Sequence, residues 1–293
     1  MKLARRTVAV VTGAGSGIGR ALALALAERG CALALADKDG RGLVGTADDA
    51  RKGGAHVVSE HVVDVADLEA MTRFRDEALK AHGRVELLVN NAGVALQGEL
   101  EELTLENMRW LIDVNFWGVV HGTRLFLPSL RQQRQAHIVN ISSIFGIVGV
   151  AGQTAYAASK FAVRGFSEVL RHELGNTAIR VSTVHPGGVR TNIVRNARMP
   201  TKLDPERRRH LIARFDEMAR TTPEQAARRI LRGIERDELR ILIGRDAQLL
   251  ATLQWLLPVR YWMLIDRLFL PKEVQKTGKT RGAPIPRSSR RSP

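Results

Sequence analysis

The sequence predicts an α/β fold in which helices cover both faces of one doubly wound, parallel, seven-stranded sheet. Short apolar runs alternate with longer amphipathic stretches from residue 7 to residue 244, an order of elements that builds such a sheet. The runs at residues 8–11 and 87–89 are apolar at every position. Parallel strands that are covered on both faces have this pattern.

The predicted strands are short apolar or β-branched runs bounded by turn residues. They cover residues 7–12, 31–37, 56–63, 85–90, 136–142, 178–185 and 239–244. The predicted helices are longer stretches with apolar residues at the helical period. They cover residues 17–29, 67–82, 103–131, 154–174 and 223–236, and Gly30 ends the first of them.

Composition predicts one large core and a cytoplasmic location. The chain has 293 residues, of which 44% are hydrophobic, and its single cysteine, Cys31, excludes an intrachain disulfide. The N-terminus leads directly into the first strand without a signal peptide. The net charge is +15, with thirteen Arg/Lys against eight Asp/Glu in residues 195–240 and seven against one in residues 271–293. Such segments attract anionic surfaces or are simply solvated.

A glycine-rich turn follows the first strand. Gly13, Gly17 and Gly19 give the spacing G-x-x-x-G-x-G, with Ser16 and Ile18 among them. Glycine permits close approach of a ligand to the backbone, and the N-terminal N–H groups of the next helix face a phosphate. The turn therefore predicts a seat for the pyrophosphate of a dinucleotide.

An acidic residue, Asp37, ends the second predicted strand. A carboxylate there can accept hydrogen bonds from an adenosine ribose and repels a 2′-phosphate, which favours NAD over NADP. Lys38 argues in the other direction, because a cation can neutralise that phosphate. A solvated turn residue is the alternative interpretation of Asp37.

Tyr156 and Lys160 are four residues apart in a predicted helix and therefore share one face. A nearby ammonium favours the phenolate, so we expect Lys160 to lower the pKa of Tyr156 and make it a general base. Ser143 lies thirteen residues before Tyr156, after a strand, where its hydroxyl can donate to a substrate oxygen. Asn115 is an amide in an apolar run and needs either a polar partner or a kink in its helix.

The chain resembles the short-chain dehydrogenase/reductase family over about residues 5–245. The features that carry the resemblance are the glycine turn, Asn90-Asn91-Ala92-Gly93, Asn115, Ser143, the pair Tyr156 and Lys160, and Pro186-Gly187. The resemblance implies a Rossmann-type sheet in the order 3-2-1-4-5-6-7 and NAD(P) chemistry. It also implies a homodimer or homotetramer built on the two long helices.

The resemblance also implies roles for individual residues. Asp64 and Val65 would contact the adenine, Asn91, Ala92 and Gly93 would support the strand beside the cofactor, and Pro186, Gly187, Val189 and Thr191 would border the nicotinamide. Lys160 would hydrogen-bond the nicotinamide ribose, and Asn115 would hold a water that links Lys160 to solvent. The expected reaction interconverts a secondary alcohol and a ketone on a lipophilic substrate.

Two later segments allow alternatives. Residues 192–220 would cap the substrate pocket, and their basic residues would either recognise an acidic or acyl-carrier-linked substrate or form a solvated helix. Residues 246–270 are an apolar, aromatic helical extension, which would either pack on the pocket or a subunit or lie in a membrane interface. Residues 271–293 are basic, and we expect them to be disordered.

Other classes of function fit less well. A catalytically idle dinucleotide sensor or scaffold is the main alternative, although such proteins usually lose the tyrosine or the lysine that this chain keeps. A nucleic-acid binder would need stacking aromatics among its basic residues, and residues 192–220 contain only Phe215. The scattered histidines predict no metal site.

Overall fold

The computed structural model describes residues 1–3, 5, 7–200 and 203–264. Within them, seven strands form one parallel sheet in the order β3-β2-β1-β4-β5-β6-β7, as expected. The strands are β1 (Val8–Thr12), β2 (Ala32–Asp37), β3 (Val58–Val62), β4 (Leu87–Asn90), β5 (Ala136–Ile141), β6 (Ile179–Pro186) and β7 (Arg240–Ile243). The predicted α/β class and the predicted strands are confirmed, with small shifts at the strand ends.

Helices cover both faces of the sheet. They are α1 (Gly17–Ala27), α2 (Gly40–Lys52), α3 (Leu68–His82), α4 (Leu105–Ile112), α5 (Gly118–Arg131), α6 (Thr154–Glu173), α7 (Pro205–Met218), α8 (Pro223–Glu235) and α9 (Arg245–Leu256). One apolar cluster joins α1, α2 and α8 to one face of the sheet, and a second joins α3, α5 and α6 to the other face.

Helix α2 is absent from the sequence prediction. Its first turns contain Gly40, Gly42 and Gly45, and glycine is a poor helix former. The helix forms because Asp39 caps it, accepting a hydrogen bond from the Arg41 N–H, and because its inner face is buried. Tertiary packing therefore outweighs the local propensity here.

The predicted helix at residues 103–131 is also corrected. It consists of α4 and α5 with a single turn of π-helix, Asp113–Trp117, between them. Such a turn inserts an extra residue into the helix and is often found at functional sites. Asn115 lies in this turn.

The C-terminal extension is helical on both sides of Pro258 within the described residues. Helix α9 ends at Leu256, two residues before Pro258, and residues 261–264 are helical again. Ala247 and Leu250 of α9 pack against residues 144–148. Residues 265–270 and the basic segment 271–293 lie outside the described residues, so the disorder expected there stays a prediction. No helix in the described ranges has the length and hydropathy to cross a bilayer.

Candidate active site

The glycine turn brings α1 close to the ends of β1 and β4. Gly13 and Gly17 have φ angles of +66° and +53°, in the left-handed region that favours glycine. A β-carbon on Gly19 would lie 2.0 Å from the Gly13 carbonyl oxygen. Ser16 is exposed at the start of α1, and Ile18 is half-buried. The turn therefore leaves the first N–H groups of α1 facing an open surface, a geometry that fits a phosphate.

The segment after β4 holds this turn in place. The Asn91 side-chain amide donates to the carbonyls of Thr12 and Gly13 at 2.9 and 3.1 Å. The backbone N–H groups of Asn91 and Ala92 donate to the Thr12 hydroxyl at 3.0 and 3.1 Å. These bonds join the carboxyl ends of β1 and β4, the neighbouring strands where ligands bind in folds of this type.

Asp37 lies at the end of β2, directly beside the glycine turn. Its carboxylate accepts the Gly15 N–H at 2.7 Å and the Asp39 N–H at 2.9 Å. A carboxylate has about four acceptor positions, so two remain for a ligand.

Lys38, the residue after Asp37, forms an exposed ion pair. Its ammonium pairs with the Asp64 carboxylate at 2.5 Å. Burial acts to raise the pKa of Asp64, but hydrogen bonds from Lys38 and the Ala66 N–H outweigh burial and lower it. Lys38 is thus already matched by a negative charge, which weakens the sequence argument for NADP.

Val65 is buried against the π-turn region. The position of a β-carbon on Gly118 would be 2.7 Å from a Val65 methyl carbon, and the His121 imidazole contacts the Val65 carbonyl at 3.0 Å. Asp64 and Val65 therefore lie in a rigid turn between β3 and α3.

Tyr156 lies in the first turn of α6, with 9% of its surface exposed. Burial raises the pKa of Tyr156 to about 12, and a hydrogen bond with the Ser143 side chain offsets part of the shift. The Phe145 ring lies edge-on to the Tyr156 ring at 6.3 Å. Tyr156 is therefore a neutral phenol at physiological pH, with its hydroxyl beside Ser143.

The pKa of Tyr156 is raised in this structure rather than lowered, so the expectation of a low phenol pKa is wrong here. The Lys160 ammonium lies 5.8 Å from the centre of the Tyr156 ring and donates to the Ile141 carbonyl at 3.1 Å. Burial lowers the pKa of Lys160 to about 8. Desolvation of the phenol outweighs a cation that is directed toward a backbone carbonyl.

The Asn115 side chain makes three hydrogen bonds within the protein, and its oxygen keeps one acceptor position. The side-chain oxygen accepts the Val94 N–H at 2.8 Å, and the amide donates to the Val94 carbonyl at 3.0 Å and to the Ser159 hydroxyl at 3.1 Å. The Asn115 oxygen and the Lys160 ammonium lie 3.2 and 3.3 Å from the position of a β-carbon on Gly93. The π turn thus places Asn115 beside the same small space as Lys160. Asn115 therefore has polar partners, Val94 and Ser159, and also lies at an irregular turn of its helix.

The two serines after β5 have different surroundings. The Ser142 hydroxyl donates to the Lys160 carbonyl at 2.8 Å, so its hydrogen is used in a bond to α6. The Ser143 hydroxyl accepts the Phe145 N–H at 3.1 Å and also hydrogen-bonds the Tyr156 side chain. The Ser143 carbonyl is held at 2.8 Å by the buried His185 ring.

The segment after β6 closes the other side of the site. Pro186 ends β6, and the Gly187 N–H donates to the Ile243 carbonyl at 2.9 Å. Val189 is buried and pairs with Thr221, and a Thr191 methyl group lies 3.1 Å from the position of a β-carbon on Gly17. The segment therefore reaches from the sheet edge to the glycine turn.

The described part of the basic segment 192–220 contains residues 192–200, which we call the strap, and the solvated helix α7. Helix α7 has no buried residue, and Arg207 and Arg209 pair with Glu102 and Glu206 on the surface. Before it, the Arg198 backbone bonds to Ala95 and Gln97, and its guanidinium stacks on Trp110 at 3.7 Å. The solvated-helix alternative therefore describes α7, whereas the strap lies against the wall of the site.

Sequence analysis did not identify Asp246 as part of this region. Its carboxylate accepts the Gly188 N–H at 2.6 Å. The sequence offers only an acid two residues after a glycine, Gly244. In the structure Gly244 has a φ of +93°, in the left-handed region. Among the described residues, no group of His, Cys, Asp and Glu side chains is arranged to hold a metal ion.

Together, the sheet and this site define a dinucleotide-binding oxidoreductase. Residues 7–202 match the short chain dehydrogenase family. The chain is 43% identical over 261 residues to the oxidoreductase SadH of Mycobacterium tuberculosis, covering 88% of this chain and 93% of SadH.

Solved structures with similar folds support the same family. A short-chain dehydrogenase/reductase from Burkholderia phymatum in complex with NAD superimposes with a TM-score of 0.79 at 33% identity, covering 87% of this chain and 95% of that one. An alcohol dehydrogenase from Thermococcus sibiricus complexed with 5-hydroxy-NADP has a TM-score of 0.70 at 27% identity, covering 82% and 95%. The chain belongs to the short-chain dehydrogenase/reductase family.

Proposed function

We propose that the protein is an NAD(P)-dependent oxidoreductase that interconverts a secondary alcohol and a ketone, with Ser143, Tyr156 and Lys160 as its catalytic residues. The observation that carries the proposal is the buried Tyr156 phenol beside Ser143, at the sheet edge that also bears the glycine turn. Open α/β sheets bind ligands at this edge.

The residues of the turn fit a dinucleotide. The left-handed Gly13 and Gly17 carry no side chain at the start of α1, so backbone N–H groups there can approach a pyrophosphate. Asp37 retains acceptor positions for ribose hydroxyls. When bound, the nicotinamide cofactor accepts or donates the hydride of the reaction.

The protein's own residues would handle the proton. In ketone reduction the neutral Tyr156 phenol donates its proton to the carbonyl oxygen while Ser143 hydrogen-bonds the same oxygen. In alcohol oxidation the same path runs in reverse, and Tyr156 must first lose its proton. Lys160 supplies the positive charge that stabilises the phenolate once the proton has left, and Asn115 fixes the backbone next to it.

The wall of the site favours a lipophilic substrate. Tyr156 belongs to an apolar cluster with Leu96, Leu111 and Ala155, against which Met108 and Phe145 pack. An apolar wall with a few convergent polar groups is typical of a small-molecule site. The strap 192–200 would cap this wall.

NAD is the proposed preferred cofactor. Asp37 would repel a 2′-phosphate at the ribose, and the cation that could offset that repulsion, Lys38, is paired with Asp64. Lys38 would have to break its ion pair with Asp64 before it could neutralise the 2′-phosphate of NADP.

A homodimer or homotetramer is the proposed assembly. Its surface would be formed by α5, the π turn before it, and α6, which expose Trp117, Phe161 and Val169, with 47%, 40% and 58% of their surfaces accessible. Large exposed apolar residues on neighbouring helices are typical of a surface that another protein covers.

The end of α9 and the residues after it are proposed to contact an anionic membrane surface. Trp255 and Val259 are 77% and 78% exposed, and Leu256, Trp262 and Met263 are exposed beside them. The segment that follows, residues 271–293, carries seven Arg/Lys against one Asp/Glu. Exposed aromatics next to a basic segment match the two components of surface binding, apolar insertion and attraction to anionic lipid.

A substrate screen tests the proposed reaction. The intact protein is offered cyclic and long-chain secondary alcohols and the matching ketones with NAD(H) and with NADP(H), and the nicotinamide absorbance is followed. Turnover of at least one alcohol/ketone pair is expected. Cofactor binding without turnover across the panel, with Tyr156 intact, would instead favour the idle sensor.

A further inference from the structure

The turn after β6 is held by the first residues of the C-terminal extension. The Gly187 N–H donates to the carbonyl of Ile243, the last residue of β7, at 2.9 Å. The next N–H, that of Gly188, donates to the Asp246 carboxylate at 2.6 Å. Two consecutive backbone groups are therefore fixed by the junction between β7 and α9.

The Asp246 carboxylate is packed directly against glycine backbone. A β-carbon on Gly187 and a β-carbon on Gly244 would each lie 2.2 Å from a carboxylate oxygen of Asp246. Gly244 has a φ of +93°, which brings the chain back so that residue 246 faces the turn. Among the described residues, no cation lies within ion-pair distance of Asp246, so its partner is the backbone N–H rather than a salt bridge.

The same turn connects to the glycine turn at the other end of the site. The Gly188 carbonyl accepts the Thr221 N–H at 3.3 Å, and the Thr221 carbonyl accepts the Arg190 N–H at 2.9 Å. One residue further, Thr191 packs against Gly17. Gly188 is therefore connected through Thr221 and residues 190–191 to the phosphate-binding turn.

From these contacts we infer that Asp246 is a positioning residue that fixes the Gly187-Gly188 turn for the nicotinamide end of the cofactor. The inference rests on the proposed function and on the expectation, implied by the family resemblance, that this turn borders the nicotinamide. Two adjacent glycines have a large conformational freedom, and binding must restrict it unless the protein has already done so. The carboxylate restricts it before the cofactor arrives, which favours binding.

The test is an NADH titration by fluorescence on the intact protein and three variants. Asp246→Ala removes the acceptor, and we expect NADH affinity to fall about tenfold, since a hydrogen bond to a charged group is lost. Asp246→Asn keeps an oxygen in the same place and should bind within about threefold of wild type. Gln248→Ala, an exposed change on the same helix, should bind as wild type does.

The kinetic constants separate positioning from general damage. Asp246→Ala should raise the KM for NADH in proportion to the loss of affinity while kcat changes less, because the Ser143 and Tyr156 groups are not touched. If Asp246→Ala does not fold, Asp246→Glu replaces it. The longer side chain keeps the charge and displaces the oxygens, so Glu should bind NADH more weakly than Asn.

The experiment distinguishes failure of the proposed function from failure of the proposed role of Asp246. No NADH binding by the wild type would contradict the proposed function itself. Normal wild-type binding, with Asp246→Ala equal to wild type or with Glu and Asn both equal to it, would overturn the role of Asp246 and leave the proposed function intact.

Discussion

The Lys160 ammonium lies 5.8 Å from the centre of the Tyr156 ring and gives its hydrogen bond to the Ile141 carbonyl. The two residues share one face of α6. Burial favours the neutral form of each, so it raises the pKa of Tyr156 to about 12 and lowers the pKa of Lys160 to about 8. The phenol therefore keeps its proton near neutral pH. Tyr156 can therefore donate a proton, as ketone reduction requires.

The first prediction concerns the pH dependence of reduction. Burial disfavours the Lys160 ammonium, so Lys160 is charged below about pH 8 and neutral above it. The kcat/KM of ketone reduction reports the free enzyme, and it should fall about tenfold per pH unit above that point. Lys160→Ala should lose both turnover and NADH affinity and should show no such decline. A wild-type profile that stays flat to pH 10 would contradict a catalytic role for the ammonium.

The second prediction concerns cofactor choice. The wild type should bind NADH more tightly than NADPH, and Asp37→Ser should reduce that preference by about tenfold, because a like-charge repulsion is removed. Lys38→Ala is the matched control, since its cation is already paired with Asp64. Fluorescence titration of both cofactors measures the ratio. Tighter NADPH binding by the wild type would mean that a cation outweighs Asp37.

The third prediction concerns stability in acid. Burial lowers the pKa of His137 and of His185 to about 4, so the unfolded chain takes up protons first as the pH falls from 6.5. The free energy of unfolding should therefore decrease between about pH 6.5 and 4, by roughly 3 kcal/mol for each histidine. His185→Asn keeps a donor for the Ser143 carbonyl and should remove about half of this histidine-dependent loss. Denaturant titrations at several pH values measure it, and an unchanged slope in the variant would reject the assignment.

The fourth prediction concerns the exposed residues at the end of α9 and after it. The intact protein should co-sediment with vesicles containing phosphatidylserine, release with added salt, and ignore pure phosphatidylcholine, because the attraction to anionic lipid is screened. The double variant Trp255→Ser/Trp262→Ser should bind more weakly. Leu250→Ser is unsuitable as a control because Leu250 is buried, so Thr252→Ser on the exposed face serves instead. No binding to either vesicle at low salt would leave a protein partner as the explanation of the exposed residues.

Sequence patterns predicted the sheet well because parallel strands carry a strong signal. The all-apolar runs at β1 and β4 can be buried on both faces only in such a sheet. The motifs also predicted which residues meet, since Asn115, Ser143, Tyr156 and Lys160 all face the carboxyl edge of β5 and its neighbours.

Three features could not be read from sequence, each for a physical reason. Spacing put Lys160 on the face of Tyr156 but did not specify the direction of a flexible side chain, so the effect of burial on both pKa values was missed. The π turn at Asn115 keeps the apolar pattern of an α-helix. Asp246 acts through backbone contacts with Gly187 and Gly188, which are distant in sequence and leave no local pattern.

The central claim is that Tyr156 carries the proton of the reaction, and one comparison tests it most directly. The chain has only two tyrosines, and the other, Tyr261, has a hydroxyl that accepts the Gly149 N–H at 2.8 Å. Tyr156→Phe should reduce kcat by about 10²- to 10⁴-fold while NADH affinity stays nearly unchanged. Tyr261→Phe should keep most of the activity. Near-normal turnover by Tyr156→Phe, on any substrate that the wild type converts, would contradict the account.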